Sequence, residues 1–492
     1  MKNLTTTFSF YLVFILFFLI YVRFNGLIFD AVSWDEAAYM TTGRDVANGL
    51  IPYKDFLELK PPLTFFLFSI PSVFFDDSFI AFRLYGYLFL YLSSIILFYI
   101  VSENHKLNLA VLFVFLFIGI MNYHFWLWNT SELITLPFIL LSFLFLKQKS
   151  FFYSGLMISL ATLIRINYCF TVIFIIFFLA YKIYRKEMKF IYLYRYILGG
   201  LIPLAIFIIY FYYHGALLDF KISNFDIFLA YSSENTFFSG IYNFFKAIFK
   251  LNYFYSYVFL PFSILLIFSL FGVKKDDYIL RIYILSISLS IILSGHSYSH
   301  HFIQLIPFLI IFIAQTNFDW CNFTNRFKNF LLYTSILITF FISSFSNYKF
   351  IKEGKSIKSY HLYNKILTVI PAIDSNTKIL ALDYQIITWK YKSPRMSKIT
   401  HTPSLFKKTT KTRIKPYVRN GIFDENYLDH LLNAKPEIII CSVRICEESR
   451  KSYEVEKISK LLIGYKEIYR EPNVSKWEYT KTGTIIIYKS VN

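Results

Sequence analysis

The stretch FIAFRLYGYLFLYLSSIILFYIV, residues 79–101, decides the fold: it is apolar from end to end, with a single charge at Arg83. About 20 such residues, wound as an α-helix, cross the roughly 30 Å hydrocarbon core of a bilayer. Outward from it, similar runs lie at residues 8–29, 108–122, 132–146, 151–164, 168–182, 197–213, 253–273, 281–294, 302–315 and 329–346. The apolar residues fall in blocks rather than at the period of two or 3.6 that a half-wet strand or helix shows. Hydrophobic residues make up 56% of the chain and charged residues 16%, against about 25% charged in soluble proteins. These features predict a polytopic α-helical membrane protein. The run at 8–29 is longer than the core of a cleavable signal and lacks a convincing small-residue cleavage site, so it reads as the first span. The 59 phenylalanines and 40 tyrosines accompany many Ile, Lys and Asn, so the aromatic excess is mostly compositional.

Residues 62–75 are apolar but number only 14, are broken by Pro71, and end at Asp76-Asp77-Ser78. Whether they cross decides the side of every later loop. Without that crossing, the loops holding Lys147 and Lys149, Lys182 to Arg195, Lys274, Lys275 and Arg281, and Arg326 and Lys328 all fall in the cytoplasm. That is the arrangement the positive-inside rule favours. Residues 62–75 are therefore read as an interfacial or re-entrant helix, leaving eleven crossings in the cytoplasmic membrane with the N-terminus inside. The formal charge of +19 is spent largely on these loops, which argues against a nucleic-acid partner, whose binder would cluster charge on a soluble face. Membrane lipids are the implied surroundings.

The transmembrane domain spans 1–346, with a first outside loop at 30–78. Beyond it, residues 347–492 are richer in charge, and their apolar runs shorten to strand length. Lys378 to Asp383, Glu437 to Ser442 and Thr484 to Lys489 read as buried strands, and Tyr427 to Asn433 and Tyr453 to Leu462 as helices. The prediction is an extracytoplasmic, soluble, mixed α/β domain without a P-loop or dinucleotide fingerprint. Four cysteines are too few for a disulfide framework. Cys441 and Cys446 could pair if this domain is extracytoplasmic, a point that sequence leaves open.

In this topology the outside loops hold Asp35, Glu36, Asp55, Glu58 and Lys60, then Asn129 and Glu132, then His296, His300 and His301. Carboxylates, a lysine and histidines on one membrane face suggest a site. In the first loop, Glu36, Tyr39 and Gly43 share one helical face. Asn48-Gly49 ends that helix, and Ile51-Pro52-Tyr53 then runs extended. Pro61 and Pro62 suit the first turn of the next helix and present Lys60 near the membrane surface. A plainer reading stands beside each of these: Asp35 and Glu36 as favourable charges at a helix N-terminus, Glu132 likewise, and Arg83 as a snorkelling side chain. Arg165 is divided between anchoring and function, because an unpaired buried arginine is costly. Asp45 and Glu58 read as solvated. The three histidines are weak evidence for a metal.

The motif Trp34-Asp35-Glu36-x-x-Tyr39, followed by Gly49-x-x-Pro52-Tyr53-x-Asp55 and Lys60-Pro61-Pro62-Leu63, resembles the GT-C membrane glycosyltransferases. The resemblance is to the bacterial branch of the dolichyl-phosphate-mannose protein mannosyltransferase family, which includes the lipid A aminoarabinose transferases. Arg83, Glu132, the segment Gly155 to Arg165, and His300-His301-Phe302-Ile303-Gln304-Leu305-Ile306-Pro307 extend it, with His301 where relatives carry tyrosine and Arg165 where they often carry lysine. It covers roughly residues 1–310. The resemblance implies an inverting transfer of a sugar from a polyprenyl-phosphate-linked donor to a glycan, lipid or protein acceptor outside the cytoplasmic membrane. Asp35 matches the carboxylate to which the family assigns the general base. Lys60 is the leading candidate for the donor phosphate, with Arg83, Arg165 and His301 as helpers. Glu36, Glu132 and Asp55 are left to orient the acceptor or hold a divalent metal cation, and the resemblance leaves metal use open because relatives differ.

Two other classes compete. A transporter or flippase of lipid-linked glycan tends to show inverted repeats and paired broken helices with midplane polar residues; here no such symmetry appears and the acidic group lies in a loop. A glycan polymerase or ligase of another membrane fold would also carry charged outside loops, but not the Asp-Glu and Lys-Pro-Pro pairing. A nucleotide-sugar donor is disfavoured by the lack of an Asp-x-Asp motif and of a glycine-rich phosphate loop.

Overall fold

In the computed structural model the apolar runs are helices. The structure describes residues 2–27, 34–103, 105–123, 129–226, 236–254, 256–271, 273–274, 277–294, 298–317, 322–353, 366, 369–370, 376–382, 385–400, 415–416, 418–421, 431, 433–447, 458–460, 462–471 and 484–491. In chain order the first helices are α1 (Lys2–Arg23), α2 (Trp34–Ala47), α3 (Pro62–Phe75), α4 (Phe79–Ser102), α5 (Leu107–Tyr123) and α6 (Ser131–Lys147). Then come α7 (Phe151–Ile164), α8 (Cys169–Tyr184), α9 (Phe190–Tyr213), the short α10 (Leu217–Lys221), α11 (Phe237–Phe254) and α12 (Ser256–Phe271). They are followed by α13 (Tyr278–Leu293), α14 (Ile306–Gln315), α15 (Asn322–Glu353), α16 (Ile386–Lys390) and α17 (Val443–Cys446). Two short strands, β1 (Val273–Lys274) and β2 (Thr316–Asn317), pair antiparallel. Each predicted span falls on a helix, and the fold class is that of a polytopic α-helical membrane protein. Among the described residues, three segments suffice for a crossing by length and composition: Phe79–Ser102, Ile166–Tyr184 and Phe190–Tyr213.

Two details of the helices depart from the sequence reading. The span expected at 302–315 is α-helical only from Ile306, because a 3-10 turn (Ser299–Gln304) precedes it and Pro307 sits in the first turn of α14. Proline lacks the N–H that would continue a helix backward. The second is α11, which the reading did not include. Its sequence interleaves Ser, Asn and Lys with aromatics, so no long apolar run forms. Its helical period is nonetheless plain: Phe244, Ala247 and Leu251 are buried, while Phe238, Tyr242, Phe245 and Phe249 are exposed.

The chain divides into two compact units: residues 1–28, 83–207 and 234–352 form the first, and 29–82, 208–233 and 353–492 the second. The first outside loop thus belongs to the same unit as the C-terminal part.

The first unit is a helix bundle whose core includes Leu97 and Phe98 of α4, Phe113 and Phe117 of α5, Phe143 of α6, Tyr283 and Ile287 of α13 and Phe308 of α14. Lipid tails are as apolar as leucine, so helices in a bilayer associate through close packing and interhelical hydrogen bonds. Both are present. Ser142 of α6 and Tyr283 of α13 share a hydrogen bond of 2.8 Å, and Ser154 of α7 donates to the Ser142 carbonyl at 2.9 Å. Gly155 of α7 and Gly199 of α9 let two backbones meet: a Cβ at either would lie 2.0 Å from a carbonyl oxygen of the other helix, Tyr196 or Phe152.

In the second unit, α2 packs along α3. The Tyr39 ring stacks on Phe68 at 4.7 Å, and a Cβ on Gly43 would lie 2.2 Å from the Phe68 carbonyl oxygen, so only glycine admits this approach. Pro61 caps α3, with Pro62 in its first turn, as the sequence indicates. The stretch expected to run extended does not: Tyr53 has φ 68°, and residues 51–55 form a turn closed by the Asp55 N–H donating to the Ile51 carbonyl at 2.9 Å. Farther along, strands β3 (Ile379–Ala381), β4 (Ile438–Ser442), β5 (Tyr465–Glu471) and β6 (Ile485–Ser490) form a sheet of order β3-β4-β6-β5. Its first pair is parallel and the other two are antiparallel. Three of these strands are those predicted. β5 was missed because it is an edge strand carrying Lys466, Glu467, Arg470 and Glu471, the charges that blunt an open edge. The expected helices at Tyr427 to Asn433 and Tyr453 to Leu462 lie mostly outside the described residues. Cys441 and Cys446 are joined by a disulfide.

Candidate active site

In the second unit the candidate residues converge on α2. Asp35 and Glu36 occupy its first turn, where backbone N–H groups lack helical partners and negative charge is favoured. Asp35 is half-buried. Glu36 is fully buried and lies, as its spacing predicts, on the inward face with Tyr39. Lys60 is 25 residues away in sequence but comes back to α2: its Nζ lies 5.9 Å from the centroid of the Tyr39 ring. Its backbone is pinned by the Tyr53 hydroxyl, which donates to the Lys60 carbonyl at 2.6 Å, just before the proline pair stiffens the chain. Tyr39 sits one helical turn beyond Asp35 on α2.

Other acidic residues of this loop have structural partners. Asp55 Oδ2 accepts from the Ile51 N–H at 2.7 Å, closing its own turn. Asp45 and Glu58, expected in solvent, are both 4% exposed. Asp45 is held by the Arg395 guanidinium, and Glu58 accepts from the Leu59 N–H at 3.0 Å. Arg44, next to Asp45, donates to the carbonyls of Trp389 at 2.8 Å and Thr388 at 3.2 Å. Burial lowers the Arg44 pKa from its ordinary value, against the opposing pull of Asp45 and Asp77.

The first unit holds a second group. Thr130 caps α6, accepting from the Leu133 N–H at 3.3 Å. The capping role considered for Glu132 therefore falls to its neighbour. Glu132, 2% exposed, instead forms an ion pair with Arg165, which also donates to Ser131 Oγ at 3.0 Å. Arg165 follows α7 in an extended conformation, where the α7–α8 turn delivers it to the start of α6. His300 Nε2 lies 3.7 Å from Glu132 Oε1, and the His300 and His301 rings meet nearly edge-on at 4.7 Å. His296 lies outside the described residues. Arg83 of α4 is fully buried rather than snorkelling. Sequence reasoning passed over Arg23, which lies within the first apolar run. It is 1% exposed, donates to the Met121 carbonyl at 2.8 Å and lies 5.7 Å from the Tyr87 ring centroid. The only signal in sequence was a charge inside a run long enough to span.

Glu132, His300 and His301 each offer a ligand atom, all within 4.8 Å of one another. Two imidazoles and a carboxylate are the donor set of a zinc-type cation. Arg165 occupies Glu132 Oε1, so a cation there would have to share the carboxylate with a guanidinium. Glu36 and Asp55, the other acids considered as ligands, belong to the second unit.

No family model and no curated protein matches this sequence. The fold does match. The chain shares the architecture of a solved protein. It is similar to the crystal structure of ArnT from Cupriavidus metallidurans bound to undecaprenyl phosphate, with a TM-score of 0.59 over 99% of this chain and 98% of that one, at 10% identity.

Proposed function

We propose that the protein transfers a sugar from a polyprenyl-phosphate-linked donor to an acceptor hydroxyl or amine at the outer face of the cytoplasmic membrane. The observation that carries this reading is the full-length likeness to a fold solved with undecaprenyl phosphate bound, in a chain that carries Asp35 in the first turn of α2 and brings Lys60 to Tyr39 one turn further along. In the proposed step Asp35 accepts the acceptor's proton, the acceptor heteroatom bonds to the anomeric carbon, and the carbon–oxygen bond to phosphate breaks with inversion. Its electron pair leaves on the polyprenyl phosphate. A hydroxyl is a poor nucleophile, and a positioned base contributes about 10²–10⁴-fold. Lys60 is assigned to the phosphate on which charge develops. In the first unit, Glu132, His300 and His301 would hold a divalent cation. Membranes containing the protein, offered a panel of polyprenyl-phosphate sugars, should release polyprenyl phosphate from one of them; a folded protein that releases it from none sinks the proposal.

Lys60→Ala is expected to raise KM for the donor about 10- to 100-fold, the worth of a charge-assisted contact of about 1.5–3 kcal/mol. A donor KM equal to that of the wild type would remove Lys60 from the phosphate site.

The proposed orientation, N-terminus inside and C-terminal domain outside, is supported by the basic loops and by the Cys441–Cys446 disulfide, a bond that persists in oxidising compartments. Lys466 is exposed on the edge strand. A Lys466→Cys variant should therefore react with a membrane-impermeant maleimide in intact spheroplasts; reaction only after lysis would place the domain inside.

A further inference from the structure

We propose that residues 385–400 of the C-terminal part act as a clasp that sets the angle of α2, with Arg395 and Asp45 as its positioning residues. The inference rests on the reading of Asp35, in the first turn of α2, as the base. All of its contacts lie within the second unit.

At the far end of α2 from Asp35, the Arg395 guanidinium holds Asp45 through both Nε, at 3.0 Å, and Nη2. The same guanidinium lies 5.1 Å from the Phe56 ring centroid and donates to Thr400 Oγ1 at 3.2 Å. One residue earlier, Arg44 donates to the last carbonyls of α16, groups that a helix C-terminus leaves without helical partners. A backbone bridge fastens the same segment to the loop after α2: the Leu57 N–H donates to Lys398 at 2.6 Å, and the Thr400 N–H donates to Leu57 at 3.2 Å. Arg395 and Asp45 side chains are 14% and 6% exposed, so this is a shielded pair. Removing one partner of such a pair leaves the other charge uncompensated.

Two contacts along a rod define its direction. Packing of Tyr39 and Gly43 on Phe68 supplies one for α2, and the clasp supplies the other. Ten residues separate Asp35 from Asp45, about 15 Å of helix. A tilt of about 4° at the clasp displaces the Asp35 end by about 1 Å, and a misplacement of that size can cost about 100-fold in rate. The clasp therefore acts on turnover through Asp35, without touching substrate.

The test uses the full-length protein in membranes, with Arg395→Gln, Arg395→Lys and, as control, Lys392→Ala. Lys392 pairs with Asp76 at 2.9 Å on the surface, where such a pair is worth little. Arg395→Gln should lower kcat about 10- to 100-fold with donor KM within about twofold of wild type. Arg395→Lys should recover part of that loss, and Lys392→Ala should lose nothing. Hydrogen exchange over residues 34–47 should speed up in Arg395→Gln and not in Lys392→Ala. A kcat within twofold of wild type for Arg395→Gln overturns the proposal, as does a rise in KM at constant kcat. So does a loss of protection throughout the second unit in both Arg395 variants, which would make Arg395 a general stabiliser. If the wild type transfers no sugar at all, the proposed function fails and exchange alone decides the clasp: unchanged protection over 34–47 in Arg395→Gln overturns it.

Discussion

Asp35→Asn removes transfer, by about 10²–10⁴-fold in kcat/KM, and leaves the amount of protein in the membrane unchanged. The size follows from what a general base contributes. The specificity follows from where Asp35 sits. In the first turn of α2, asparagine matches the shape of aspartate and keeps an oxygen that can accept from the helix N-terminus. The substitution forgoes only the favourable placement of negative charge there, about 0.3–1 kcal/mol. That is small beside the loss of an acceptor for the substrate's proton. The packing of α2 depends on Tyr39 and Gly43, which the change does not touch. Single-turnover rates with a saturating donor check it. A variant that keeps near-normal turnover removes Asp35 as the base, and one that vanishes from the membrane makes Asp35 a structural residue.

What could be read from the sequence was what local spacing carries. The run at 79–101 announces a crossing by length alone, and the face shared by Glu36, Tyr39 and Gly43 follows from helical period. Pro61 and Pro62 fix the start of α3 because proline tolerates only that end of a helix. What could not be read depended on partners remote in the chain. Asp45 looked like a solvated charge because Arg395, which holds it, is 350 positions away. Glu132 and Arg165 stand 33 apart on opposite sides of two helices, and no spacing rule links them. β5 hid because an edge strand keeps its charges, and α11 because an amphipathic helix breaks the apolar run that marks a span. The Tyr53 turn was misread for a related reason: its positive φ is sustained by contacts beyond the local sequence, among them Phe211 and Phe220 around its ring.

Glu132→Ala should cost the protein more stability than any other single change among the candidate residues. Arg165 is 6% exposed and takes its charge compensation from Glu132; the remaining hydrogen bond to Ser131 at 3.0 Å carries no charge. Breaking a buried ion pair by deleting one partner costs about 3–5 kcal/mol, because the other charge stays buried without its mate. The same principle predicts the remedy. When both ends are replaced, as in Glu132→Ala with Arg165→Leu, no uncompensated charge is left, and stability should return to within about 1–2 kcal/mol of wild type. Transfer should not return with it if Arg165 helps to bind the donor phosphate. Thermal unfolding in detergent, followed beside donor release, separates the two effects. A double variant that regains both stability and activity would reduce Glu132 and Arg165 to a structural pair, and a Glu132→Ala protein as stable as wild type would mean that Arg165 finds another partner. The contrast with Asp35 is one of environment: the half-buried Asp35 can lose its charge at little structural cost, whereas the buried start of α6 cannot.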